Sequence, residues 1–152
     1  MFNKILVALD LSDANISNAN KSVFDTAIFL AQATDAQLIL LQILPLAPQD
    51  ESLISVYEEP WQKLQQRGLK ALRSLTQEAT TAGINAICIQ DFGNPGRTIC
   101  ALAQTLSVDP ILVGSRGLTG AKEMLLGSVS NYVTHHAPCS VVIVRKSSTQ
   151  EK

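Results

Sequence analysis

Charge is in short supply in this chain. Only 16% of its 152 residues are charged, against about a quarter in an ordinary globular domain. The twelve basic side chains nearly cancel the thirteen acidic ones, leaving a formal net charge of −1. A surface so balanced has no field with which to grip a polyanion, so nucleic acid and anionic membranes are not expected partners. Aromatic residues are scarce too, at 5%, and the core must be aliphatic. No apolar run approaches the ~18 residues of a membrane-spanning helix. The longest, Leu38 to Ala47, is interrupted by Gln42 and Pro45, and Ile5–Leu9 is too short for the core of a secretory signal. Cys88, Cys100 and Cys139 are an odd number without CxxC spacing. That suits a reducing compartment, and a cytoplasmic location is expected.

What the chain has in quantity is hydrophobic residues, 46% of the total, enough to bury a real core and to exclude disorder. The length fits one domain of about 100–200 residues, placed at 1–146, with a polar tail at 147–152. Ile5–Leu9 is a continuous apolar run ending at Asp10 and reads as a strand buried on both faces. A polar loop from Leu11 to Lys21 follows, then a helix that Ser22 would cap, with Val23, Ala27, Leu30 and Ala31 at helical spacing. Ala36–Leu44 is a second buried strand. Pro45–Glu59, with its prolines and carboxylates, reads as a long exposed connection, and Pro60 as the first turn of a helix that Gly83 ends.

Ile84–Gln90 is a third strand, and Asn94 the N-cap of a helix through Leu106. Pro110–Val113 is a fourth strand, Ser128–His136 a helix and Ser140–Arg145 a last strand. Strands alternating with helices at this spacing imply βαβ units. The expected fold is α/β: a single doubly wound domain, with a five-stranded parallel sheet and helices on both faces. Ligands bind such sheets beyond the carboxyl ends of the strands, which directs attention to Asp10, the Ile43–Pro45 corner and the segment after Val113.

That last segment runs Gly114-Ser-Arg116-Gly117, continues through Lys122, and reaches Gly127-Ser128 at the start of the next helix. Glycines at a strand end let the backbone turn and a ligand approach without a Cβ in the way. Free N–H groups and the positive end of the helix dipole converge at Gly127-Ser128, favouring an anion by roughly 0.3–1 kcal/mol from the dipole alone. Together these make a phosphate cradle built from main chain; turn glycines with no ligand are the alternative. Arg116 and Lys122 either reach phosphates or are solvated loop charges. No G-x-x-x-x-G-K-[ST] occurs, which excludes a Walker-type NTPase, and no G-x-G-x-x-G follows the first strand, so a dinucleotide would lack its pyrophosphate turn. Asp10 either serves a ligand or caps a turn in the polar loop. Phospho-acceptance of the response-regulator kind lacks its paired acids after strand one. His135 and His136 point about 100° apart on a helix, so they share no ligand face, and they suit an exposed helix C-terminus.

Gly114, Gly117, Gly127 and Ser128 meet the pattern G-x2-G-x9-G-[ST] without a gap, and with it the chain resembles the ATP-binding branch of the universal stress protein family. Ile5–Asp10, Leu38–Ile43 and the stretch from Gly127 to Arg145 resemble the family's first strand, second strand and C-terminal segment. The resemblance implies a Rossmann-like fold of the adenine nucleotide alpha hydrolase kind. It implies that Ala8, Leu9 and Asp10 line an adenosine pocket, with the Asp10 carboxylate on a ribose hydroxyl and Ile43 main chain at the adenine edge. Gly114, Gly117, Gly127, Ser128 and Val129 would surround ribose and phosphates, with Arg116 nearby and Mg2+ or Mn2+ bridging phosphate oxygens. The chain departs from the family at Ala8, where many relatives have proline, at Gln42, where many have histidine, and in a longer loop after Asp10.

Three functions follow as expectations. The leading one is a regulatory protein of the stress response that binds ATP, with AMP or cyclic AMP as other candidates, and acts as a homodimer with a protein partner. Its dimer would form through the apolar edge strand Val141–Val144. The second is a weak ATPase or nucleotidyl-transfer enzyme, though no residue offers itself as general base or nucleophile. The third is a dimerisation scaffold that uses no nucleotide.

Overall fold

The computed structural model describes residues 2–11, 18–47, 49–115 and 126–145. Its strands are β1 (Lys4–Ala8), β2 (Gln37–Leu44), β3 (Ala86–Phe92), β4 (Ile111–Gly114) and β5 (Val141–Val144). They form one five-stranded sheet in the order β3-β2-β1-β4-β5, and every neighbouring pair is parallel. The helices are α1 (Asn18–Thr34), α2 (Glu51–Thr81), α3 (Pro95–Thr105) and α4 (Ser128–His136). This is the doubly wound α/β fold expected from the alternation of strands and helices.

Parity along the strands divides the core in two. Ile5, Val7, Leu38, Leu40 and Leu112 pack against Val23, Phe24, Ala27 and Ala31 of α1 and Leu72, Leu75 and Ala79 of α2. The alternate residues Leu6, Ile39, Leu41, Ile111 and Val113 pack against Ile99 and Ala103 of α3 and Val133 of α4. A stretch of strand covered on both faces is mostly apolar, which is why Ile5–Val7, Leu38–Leu41 and Ile111–Val113 read as continuous runs. The chain builds outward from β1 to β3, then returns to β1's other side for β4. The strand order reverses there, and a crevice opens beyond the carboxyl ends of β1 and β4.

Several boundaries differ from the sequence expectation. Ser22 lies inside α1 and does not cap it; its carbonyl accepts from Thr26 Oγ1 at 2.8 Å. Asn18, Ala19 and Lys21 at its start are exposed, and Asn20 is polar, so no apolar period marked its beginning. Pro60 likewise lies inside α2 and not in its first turn. The helix starts nine residues earlier, at Glu51, with Asp50 as N-cap accepting from Ser52 N at 3.0 Å. That bond, with one from the Ser52 hydroxyl, holds the Asp50 carboxyl below its ordinary value. Residues 51–60 are all exposed, so this stretch buries no stripe and carries no helical signal. The Val56 carbonyl, which Pro60 leaves without a helical donor, sits in that solvated turn.

β3 starts two residues later than expected because Ile84 closes α2. The Gly83 N–H bonds Thr80 O at 2.9 Å and the Ile84 N–H bonds Ala79 O at 3.1 Å, with Gly83 at φ +84°. This is the left-handed glycine cap foreseen at Gly83; at its other end β3 runs on to Phe92, two residues past the expected Gln90. β4 starts at Ile111 because Pro110 has no N–H for the ladder, although its carbonyl accepts from Leu6 N at 3.1 Å. Asn94 caps α3 as expected, its side chain accepting from Arg97 N at 3.1 Å.

α3 and α4 approach closely at Gly96, where an added Cβ would stand 2.6 Å from the Tyr132 ring. Gly96→Ala should therefore destabilise the fold by about 1–3 kcal/mol through overpacking. Urea denaturation measures this; an unchanged midpoint would show that the two helices are not held at this spacing.

Candidate functional site

The crevice at the strand-order reversal is a cavity of about 330 Å3. Its walls come from both faces of the sheet. β1 and the residues after it bring Ala8, Leu9 and Asp10, β2 brings Leu41 to Leu44, and β4 brings Val113 and Gly114. α4 contributes its first turn together with Gly127. Of the residues singled out in the sequence, Ala8, Leu9, Asp10, Ile43, Gly114, Gly127, Ser128 and Val129 all border this space. Arg116 and Gly117 lie outside the described residues, as do Lys122 and the tail from Lys146.

The end of β4 and the start of α4 are joined by hydrogen bonds that the sequence did not disclose. The Ser115 carbonyl accepts from Gly127 N at 2.8 Å and from the Ser130 hydroxyl at 3.3 Å. The same hydroxyl lies 3.1 Å from Gly127 O. Ser115 N in turn bonds Val144 O at 3.0 Å, which ties this corner to β5. The glycines on either side of the intervening loop are thus brought into one wall. Ser130 is 2% exposed, and its signal in the sequence was only a hydroxyl two residues beyond Ser128.

α4 opens with a bare N-terminus. Its N-cap is Gly127, which makes no side-chain capping bond, and its first intrahelical bond runs from Asn131 N to Gly127 O at 2.9 Å. The N–H groups of Ser128, Val129 and Ser130 therefore have no intrahelical acceptor, and all three residues border the cavity. Where most helices place a Ser, Asp or Asn side chain over these donors, this one leaves them to whatever enters. The dipole adds a positive partial charge at the same point. The arrangement suits an oxyanion.

Opposite this corner, Asn20 of α1 organises the segment after β1. It is 7% exposed; its Oδ1 accepts from Asp10 N at 3.0 Å, and its Nδ2 donates to Asp10 O. Leu9 N continues the ladder to Leu41 O at 2.9 Å. The main chain of Leu9 and Asp10 is thereby fixed, and among the described residues that line the cavity the exposed Asp10 is the one ionisable side chain. Sequence reading missed Asn20, as well as Ala19 and Val23 of α1, Leu64 of α2, and Pro95 and Ile99 of α3, which also line it. Their only signal was position on helix faces whose packing partner was unknown.

The remaining candidate groups stand elsewhere. His135 and His136 are exposed in the last turn of α4, where His136 stacks on Tyr132 with centroids 4.0 Å apart. Burial pushes the thiols of Cys100 and Cys139 up, with Asp109 adding to the shift at Cys139. Among the described residues, no group of three or more His, Cys, Asp or Glu could hold a metal ion. No helix among them is long and apolar enough to cross a membrane.

Fold and site define a class: a doubly wound α/β domain with its cavity at the strand-order reversal and an uncapped helix start in its wall. The universal stress protein family matches residues 1–145, and the chain belongs to that family. It is 37% identical over 153 residues to universal stress protein YxiE of Bacillus subtilis, covering 95% of this chain and 100% of that one. The solved structure of universal stress protein UspA from Lactobacillus plantarum superposes with a TM-score of 0.82 at 29% identity, covering 95% of this chain and 98% of that one. A universal stress protein family protein from Arabidopsis thaliana, solved with AMP bound, shares the fold with a TM-score of 0.74 at 21% identity, covering 99% and 95% of the two chains.

The two bonds from Asn20 to the Asp10 main chain yield a direct expectation. Asn20→Ala removes both and should cost about 2 kcal/mol of stability, at roughly 1 kcal/mol per bond. Chemical denaturation monitored by circular dichroism checks it. A variant as stable as the native chain would mean that the segment after β1 is not held by Asn20.

Proposed function

We propose that this chain binds an adenine nucleotide in the cavity between β1 and β4 and acts as a nucleotide-responsive regulatory protein. ATP is its expected ligand, with AMP and cyclic AMP as the alternatives to test. The observation that carries this reading is the uncapped start of α4, whose free N–H groups line a cavity of about 330 Å3. That volume lies within the range of about 300–1,000 Å3 typical of small-molecule sites. AMP in the Arabidopsis relative supports the ligand class.

In this reading the N–H groups of Ser128 and Val129, with the glycine backbone at Gly114 and Gly127, surround ribose and phosphates. Gly117 and Arg116 complete that wall from the loop. The Asp10 carboxylate accepts from a ribose hydroxyl, a role that suits an anion better than facing phosphate. Ala8 and Leu9 line the adenosine pocket, and the Ile43 main chain meets the base edge. Mg2+ or Mn2+ would neutralise the phosphate charge, held by the phosphate oxygens themselves.

β5 lies at the edge of the sheet with all four residues half-buried. A bare apolar edge favours pairing with another chain, so the proposed unit is a homodimer through Val141–Val144. A cytoplasmic setting and a downstream protein partner belong to the same proposal.

The test is substitution in the cradle. Gly127 has φ −65° and ψ 164°, a conformation open to any residue, so Gly127→Val asks nothing unusual of the backbone. It places a branched side chain beside the free N–H groups and should weaken ATP binding more than about tenfold in calorimetry, equivalent to about 1.4 kcal/mol. Unchanged affinity in a folded variant would refute the cradle.

A further inference from the structure

Gln42 is 2% exposed, and a carboxamide so enclosed is costly unless its polar atoms are used. Its side chain continues the row of Leu38 and Leu40 toward α2, where it lies beneath Gly68. A methyl group on Gly68 would fall 2.0 Å from Gln42 Oε1 and 2.5 Å from Nε2. Glycine within a helix costs about 1 kcal/mol relative to alanine. Here it provides the notch into which the amide fits.

The neighbours of the amide fix which way it faces. Gln90 Nε2 donates to the main-chain carbonyl of Gln65 at 2.9 Å, and a carbonyl only accepts, so the nitrogen of Gln90 stands at that end. The same nitrogen lies 3.0 Å from Gln42 Oε1. Gln42 therefore turns its oxygen to Gln90 and its NH2 group away. Among the described residues nothing accepts from that NH2 group. Every wholly enclosed side-chain nitrogen or oxygen among them does have a partner. The amide nitrogen of Gln42 is then not wholly enclosed, and Gln42 is one of the residues that line the cavity.

We propose that Gln42 is a specificity-determining residue of this cavity, its side-chain amide donating to an acceptor nitrogen of the bound purine ring. The proposal rests on the nucleotide reading above. A donor held from behind by Gln90 and from above by Gly68 cannot turn to present its oxygen. A ring that lacks the acceptor leaves the NH2 group both dry and unpaired, and that penalty gives the discrimination. Leu64, one helical turn before Gly68, lines the same space and supplies an apolar wall for the ring.

The experiment compares AMP with its three deaza analogues, in which N1, N3 or N7 is replaced by C–H, by calorimetry on the full chain. The native protein should bind one analogue about tenfold more weakly than AMP. In Gln42→Met, which keeps the length and loses the donor, that difference should vanish because AMP falls to the analogue's level. Thermal unfolding establishes that the variant is folded. Gln42→Glu is the second probe: its carboxylate still accepts from Gln90 but gives the cavity an acceptor, and AMP should bind more weakly still. Equal deaza penalties in the native chain and Gln42→Met would overturn the role of Gln42 and leave the nucleotide site standing. Failure of the native chain to bind either AMP or ATP would overturn the nucleotide reading and this proposal together.

Discussion

The carbonyl of Ser115 holds the site together. By accepting from Gly127 N and the Ser130 hydroxyl, it anchors the start of α4 against the end of β4. The parallel sheet creates a crevice wherever its strand order reverses, but a crevice alone has no preference for any ligand. Preference arises because this one contact brings a helix N-terminus into the wall, and because glycine at the cap leaves its donors uncovered. Asn20 performs the corresponding task on the other side, fixing the main chain of Asp10 through both halves of its amide. The two walls are thus set by main-chain hydrogen bonds that involve a serine and an asparagine, both buried. Neither residue type is common in a core without such a partner.

Much of the architecture was legible in the sequence, for identifiable reasons. Ile5–Val7, Leu38–Leu41 and Ile111–Val113 are covered on both faces and therefore consist of uninterrupted aliphatic residues. Gly83 and Asn94 act through local backbone chemistry, a left-handed cap and a side-chain N-cap, and such effects are visible in a few residues. The glycines at 114 and 127 are visible for the same reason. What failed to show was structure without burial. The first turn of α1 buries only the polar Asn20 and that of α2 is wholly exposed, so no apolar period announced them, and Pro60 reads as a beginning although it sits inside a helix. Part of the cavity was also hidden. Asn20, Leu64 and Ile99 are distant in sequence from the glycine signature, and only the packing of α1, α2 and α3 on the sheet brings them to it.

The cluster around Gln42 shows a similar division. In the sequence Gln42 merely interrupts an apolar strand, Gly68 weakens a helix, and Gln90 is a polar residue near a strand end. In three dimensions they form one arrangement, with the glycine making room for an amide that a second amide orients. Each residue departs from what its local structure would favour, and the departures meet at a single point on the cavity wall. Such coincident departures are expected where function, rather than folding, sets the choice.

The central claim is that main-chain donors at the start of α4 hold a phosphate. The most direct measurement follows the backbone amide resonances of Ser128, Val129 and Ser130 during titration with AMP and, separately, with adenosine. Both ligands should perturb residues near the base, such as Ile43, but only AMP should shift the three amides strongly downfield, as charge-assisted hydrogen bonds form. Identical shifts with adenosine, or none with AMP at saturation, would contradict the account.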